Sequence, residues 1–202
     1  MKIDLANFSE ERHKKGFAMT IIFSNNMDPD CQVIKQAWQD LKDINLVEIT
    51  PDTDDYEDLV NNAIIAEDDT IMFVGHGTSK GLLFPNLYRM EYLLHEFNAN
   101  LVHAKNIICC WCFASDFVIS MNWHNTFATS MFISNIREAC DNSIIDYTQK
   151  QINSNGERFF CDINQLIKNK VPLNDWIMQL GAKMDIENVI DTFNRQGLYY
   201  NK

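Results

Sequence analysis

The chain has 202 residues, 46% of them hydrophobic, and a formal net charge of −11. That length suffices for one domain spanning 1–202, able to bury about 70% of its unfolded-chain surface without a disulfide framework. The acidic balance excludes nucleic acid as a main partner, and no run approaches the roughly 18 apolar residues of a membrane span.

Residues 1–15 are polar and lack the apolar segment of a signal peptide. Phe17 to Phe23 is predicted to be a strand, followed by the loop Ser24-Asn25-Asn26-Met27. Asp28 and Pro29 then suit an N-cap and a first helical position. Val33, Ile34, Ala37, Trp38 and Leu41 give that helix one apolar face. Leu46 to Ile49 is a second strand, and the acidic turn 52–55 leads into a helix over 56–66. Thr70 to Val74 is a third strand, ending in Gly75-His76-Gly77.

After His76 a loop through Gly81 and Phe84-Pro85-Asn86 is expected, then a helix with Met90, Leu93, Leu94 and Phe97 inward. Asn106 to Trp111 is a fourth strand, ending at Cys112. Residues 113–125 read as a loop with one helical turn, and Thr126 to Ile133 as a fifth strand with Ser134 and Asn135 at its end. Helices are expected over 136–151, 158–168, 173–180 and 186–193, with Asn153-Ser154-Asn155-Gly156 as a loop. Leu198 to Tyr200 closes the chain as a short edge strand.

Alternating strands and helices predict an α/β fold with a mostly parallel sheet between two helical layers. Counting the five strands in chain order, the expected sheet order is 2-1-3-4-5, all parallel. Right-handed crossovers place Asn25, His76, Cys112 and Ser134 at one sheet edge, where ligands gather in such folds. A thiol and an imidazole together suit acyl transfer, because the thiolate attacks a carbonyl and the imidazolium protonates the leaving amine. The backbone N–H groups of Gly77 and Cys112 would form an oxyanion hole. The other cysteines, at 31, 109, 110, 140 and 161, show no secreted-scaffold spacing, so free thiols in a reducing, cytoplasmic compartment are expected.

Two stretches carry a resemblance. TIMFVGHGTSKGLLFP (70–85) followed by Ile107 to Cys112 resembles the caspase-like cysteine peptidases of clan CD, the caspase, legumain, gingipain and CHAT group. It is most similar to legumain-like members in His76-Gly77, Gly81 and Phe84-Pro85-Asn86, in Asn125 to Ser130, and in Ser24-Asn25. The resemblance covers a core of about 17–140 and leaves 141–202 as a helical extension. It implies a caspase-like three-layer sandwich and an endopeptidase with a His76–Cys112 dyad acting through a thioester acyl-enzyme. It implies no cofactor, a polypeptide substrate and, as in relatives, a role for cleavage or a regulatory protein partner.

This chain departs from the family at Trp111, where relatives carry a small residue, and at Cys110, where they often carry Gln, Glu or Asp. Walls from Asn25, Asn26, Cys110 and Ser134 would make a neutral substrate pocket, with Asp28 the acidic candidate if the substrate is basic. Two alternatives stay open: an inactive caspase-like domain that binds peptides or partners, and a metal or redox module. The metal set would be Cys110, Cys112 and His76, which lacks a fourth ligand.

Overall fold

The computed structural model of the protein describes residues 19–86 and 90–202. The predicted lead-in, the first two positions of the first predicted strand and residues 87–89 lie outside them. The strands are β1 (Met19–Ser24), β2 (Ile44–Ile49), β3 (Thr70–Val74), β4 (Gly77–Thr78), β5 (Gly81–Leu83), β6 (Tyr92–Leu94), β7 (Asn106–Cys110), β8 (Thr126–Thr129) and β9 (Leu198–Asn201). The helices are α1 (Pro29–Ile34), α2 (Tyr56–Ile65), α3 (Glu96–Ala99), α4 (Ala114–Met121), α5 (Ile136–Asp141), α6 (Gln149–Lys168), α7 (Leu173–Ala182) and α8 (Val189–Gln196).

The main sheet has six strands in the order β2-β1-β3-β7-β8-β9. The first five are parallel, and β9 runs antiparallel along β8. Apolar runs such as Ile71-Met72-Phe73-Val74 are continuous because both faces of the sheet are covered. On one face Phe23, Met72, Val74, Ile108 and Cys110 pack against α1, α6 and α7 through Trp38, Phe159, Phe160 and Trp176. On the other, Ile22, Phe73, Cys109 and Trp111 pack against α2 and α4 through Ile64 and Phe117. The result is a three-layer α/β sandwich with a mostly parallel sheet.

Register decides what meets at the sheet edge. Phe23 lies opposite Val74, and Val74 opposite Cys110. Asn25, His76 and Cys112 each follow that row by two residues, so they leave neighbouring strands at one level. Neighbouring strands are about 4.8 Å apart.

Several expected elements differ. The segment after His76 is no simple loop and helix: β4, β5 and β6 form a small antiparallel sheet. The expected inward residues Met90 and Phe97 are 59% and 80% exposed. Helix starts only at α3, where the His95 side chain caps Phe97 N and Asn98 completes a capping box. In the 113–125 segment the expected single turn is the eight-residue α4. The fifth parallel strand stops at Thr129 rather than Ile133, because Ser130 N–H turns to the Gly197 carbonyl and Ser130 O accepts from Phe113 N–H.

The expected loop at 153–156 is the middle of α6. Gly and Asn cost a helix interior up to about 1 kcal/mol each. Tertiary contacts offset that cost here. Thr148 and Gln151 form a capping box, Gln149 bonds Asn153, and Asn155 and Asn188 exchange amide hydrogen bonds. A side chain at Gly156 would meet Val33 at 2.8 Å, so the glycine lets α6 lie close on α1.

The C-terminal helices are tied by a buried cation. Arg195 donates to Asp191 (2.9 Å), to Asp162 (2.7 Å) and to the Leu180 carbonyl (3.0 Å). Arg158 also reaches Asp191 (3.0 Å) and Lys183 reaches Asp162 (2.9 Å), so without Arg195 each carboxylate keeps one cation and the buried hydrogen bonds are lost. Arg195→Ala is expected to lower unfolding free energy by about 1–3 kcal/mol. Urea denaturation checks this; a change within about 0.5 kcal/mol, typical of a surface position, would contradict it.

Candidate functional site

His76 reaches the sheet edge through a glycine that no other residue replaces easily. Gly75 has φ +147°, and a Cβ there would meet Ser24 at 2.7 Å. Without a side chain at 75, β3 passes close to the end of β1, and His76 comes within reach of the first turn of α1. There its Nε2 bonds Asp28 Oδ2 at 2.7 Å. The expected N-cap role of Asp28 is also present: its Oδ1 accepts from Cys31 N–H at 2.9 Å. Asn26 donates to Oδ2 at 2.9 Å.

Cys31 completes the group. A ligand-capable atom from each of Asp28, Cys31 and His76 lies within 4.8 Å of the others. Thiol, imidazole and carboxylate are the three group types of a cysteine hydrolase site. Cys31 itself is fully buried and accepts a hydrogen bond from Asn26 N–H at 3.3 Å. Burial pushes its thiol pKa up, and with no exposed surface it is shielded from a substrate.

Of the two thiols that line a cavity with His76, the part-exposed one is Cys112. Its Sγ donates to the Phe132 carbonyl at 3.5 Å. Burial, helped by Glu138 and Asp30, pushes its pKa up to about 12. His76 and Cys112 line one cavity of about 40 Å³, together with Cys110 and Ser134. Val33 and Ile34 of α1 form one wall, and Ile152, Asn153, Gly156 and Phe160 of α6 another. No hydrogen bond joins His76 to Cys112 among the described residues; the imidazole is held by Asp28 instead.

The remaining sequence-nominated residues separate. Ser134 lies in the loop beyond β8, and its hydroxyl reaches both Asp30 Oδ2 (2.7 Å) and Glu138 Oε2 (2.9 Å). The Asn25 amide turns away toward Glu48 of β2. Its Oδ1 accepts from Met27 N–H at 2.9 Å, and Asn25 is not among the cavity-lining residues. Cys110, Cys112 and His76 do not gather as a metal set; among the described residues the group that does is Asp28, Cys31 and His76.

Trp111 borders the cavity, but its indole does not fill it. Alternation sends it to the opposite face, where its Nε1 donates to the Thr78 carbonyl at 3.0 Å. A Cβ on Gly77 would stand 2.0 Å from the indole, so the large residue before Cys112 is matched by the missing side chain after His76. Leu83 N–H bonds the His76 carbonyl at 2.9 Å, which makes that pair the hydrogen-bonded one. Gly77 is then at the next, non-bonded position, with its N–H directed away from β5. The Cys112 N–H has no acceptor among the described residues. Phe113 follows with φ +65°, a strained turn of the kind stored at functional sites, and α4 begins at Ala114.

Sequence reasoning left three groups out. Asp28 was legible as an N-cap but not as the partner of His76. Asp30 follows the same Pro29, and its acidity replaces the expected neutral wall. The α6 wall was hidden because Asn153 to Gly156 reads locally as a loop. No protein-family model and no curated protein matches the chain.

Burial pulls the His76 pKa down, but the contacts with Asp28 and Cys31 outweigh it and the net value rises to about 10. For Asp28, burial pushes upward while hydrogen bonds from His76, Asn26 and Cys31 N–H carry it well below the carboxylate range. The pair is therefore imidazolium and carboxylate at neutral pH. The His76 contribution to stability is complete below its ordinary 6.5 and is lost as pH rises through about 10. The Asp28 contribution is complete above 3.8 and is lost as pH falls through its lowered value. Asp28→Asn should lower the His76 pKa, followed by NMR titration, from about 10 toward its ordinary 6.5. Its stability penalty should be largest between pH 3.8 and 6.5 and shrink toward pH 10. An unchanged His76 titration would contradict the pairing.

Proposed function

We propose that the chain is a caspase-like cysteine peptidase with Cys112 as nucleophile and His76 as its acid–base partner. The observation that carries this reading is that the two side chains, from the ends of adjacent parallel strands, line one cavity. Asp28 orients His76 and keeps it protonated.

Substrate entry displaces Cys112 from the Phe132 carbonyl. The thiol then ionises beside an imidazolium, whose charge favours the thiolate, and its proton passes to solvent. The thiolate attacks the scissile carbonyl, and His76 gives its proton to the leaving amine. The resulting thioester is hydrolysed by water, which returns a proton to His76. The N–H groups of Gly77 and Cys112 would hold the oxyanion, each worth roughly 3–4 kcal/mol in known cases.

The cavity of about 40 Å³ is small beside the roughly 300–1,000 Å³ of ordinary ligand sites. A peptide side chain therefore requires the α6 wall to give way, which is where a regulatory protein partner would act. One wall is acidic rather than neutral: Asp30 lines the cavity and shares the Ser134 hydroxyl with Glu138 behind it, and neither carboxylate has a cationic partner among the described residues. A basic P1 side chain would fill that vacancy of charge, whereas an acidic one would be repelled.

The raised Cys112 pKa and the narrow cavity favour a second reading, an inactive caspase-like domain that binds a partner. Mass spectrometry of wild type beside Cys112→Ala and His76→Ala separates the two. The peptidase reading expects self-cleavage or cleaved co-purifying proteins in wild type alone, with Cys112→Ala as stable as wild type and His76→Ala folded but melting lower, because it removes the partner of Asp28. The double variant should be no slower than either single one, because the groups act as one unit. In a peptide library, Arg and Lys at P1 should be cleaved at least about tenfold faster than Asp and Glu, a difference of about 1.4 kcal/mol. Identical fragments in all samples would favour the binding domain, and selection for an acidic P1 would contradict the acidic wall.

A further inference from the structure

We propose that Asp28, Cys31 and His76 form a zinc-binding site whose occupancy withdraws His76 from Cys112. The withdrawal rests on the peptidase reading above; the binding does not.

Ligand-capable atoms of the three residues lie within 4.8 Å of one another. Tetrahedral zinc, with bonds of about 2.0–2.3 Å, holds its ligand atoms roughly 3.3–3.8 Å apart. The 2.7 Å contact of His76 with Asp28 therefore has to open by roughly 0.6 Å, and the sulfur, within 4.8 Å of both, has to close in by at most about 1 Å. Thiolate, imidazole and one carboxylate form a set that suits zinc; calcium and magnesium take oxygen ligands. Three protein ligands leave a fourth position for water.

The surroundings already hold these groups in orientation. Asn26 serves two of them: its backbone N–H donates to Cys31 Sγ at 3.3 Å, and its side-chain amide donates to Asp28 Oδ2 at 2.9 Å. Cys31 N–H donates to Asp28 Oδ1 at 2.9 Å. Outer contacts of this kind fix the ligands and favour their charged forms. Entry is from the side of Asp28 and His76, whose side chains are 26% and 22% exposed. Coordination sends the proton between His76 and Asp28 and the thiol proton of Cys31 to solvent. One thiolate and one carboxylate then balance the two charges of the ion.

Calorimetry and thermal melting with zinc chloride test the site on the full chain. Wild type is expected to bind one zinc ion and melt higher with it. Cys31→Ser and His76→Gln should each weaken binding by about tenfold or more. Cys140→Ser, which removes an exposed thiol, should leave binding unchanged. No binding by wild type, or equal binding by Cys31→Ser, would overturn the proposal. In peptide cleavage, zinc should slow wild type and spare Cys31→Ser. Zinc binding in a chain without peptidase activity supports this site and contradicts the peptidase reading. Cleavage by a chain that does not bind zinc does the reverse.

Discussion

The 2.7 Å bond between His76 and Asp28 is the contact on which the arrangement at the sheet edge depends. It joins the end of β3 to the first turn of α1, two segments that share no local sequence. Both groups are half-buried, and desolvating either charge without its partner is unfavourable, so each supports the other. The bond also aims the imidazole at the α1 side of the sheet, where Cys112 emerges. Gly75 makes the approach sterically feasible, since any Cβ there would collide with Ser24.

Alternation along β7 divides the cysteines by role. Cys110 and Cys112 face the α6 layer, while Cys109 and Trp111 are packed into the α4 layer. The Trp111 indole thus stabilises the far face while the residue only borders the cleft, at the expense of requiring glycine at 77. The cleft is narrow for a separate reason. The helix α6 lies over it, drawn close by Gly156 against Val33 and by the ring contacts of Phe132 with Phe159 and Phe160. The same packing that completes the core therefore restrains access to Cys112.

The parallel strands were legible because each is a continuous apolar run ending in turn residues and alternates with a helix, and right-handed crossovers put their C-terminal ends on one edge. The small β4–β6 sheet was not, because Leu93, Leu94 and Phe97 have helical spacing; only the close pairing with Leu82 and Leu83 makes the first two strand-like. Asn153 to Gly156 failed for the opposite reason, since Asn188, Gln149 and Val33 override a local preference for a turn. At the site, His76 and Cys112 stood out as polar ends of apolar strands. Their surroundings did not: an N-capping Asp looks the same in sequence whether or not a histidine 48 residues later reaches it.

The proposed dyad requires that position, rather than exposure, make Cys112 the reactive thiol. The direct measurement is intact-mass and peptide mapping after brief treatment with a peptidyl acyloxymethyl ketone carrying a basic P1 residue. Cys140 and Cys161 are exposed and serve as internal controls. The account predicts a single adduct on Cys112, absent in His76→Ala. Adducts on Cys140 and Cys161 with Cys112 untouched, or labelling of Cys112 that is indifferent to His76, would contradict it.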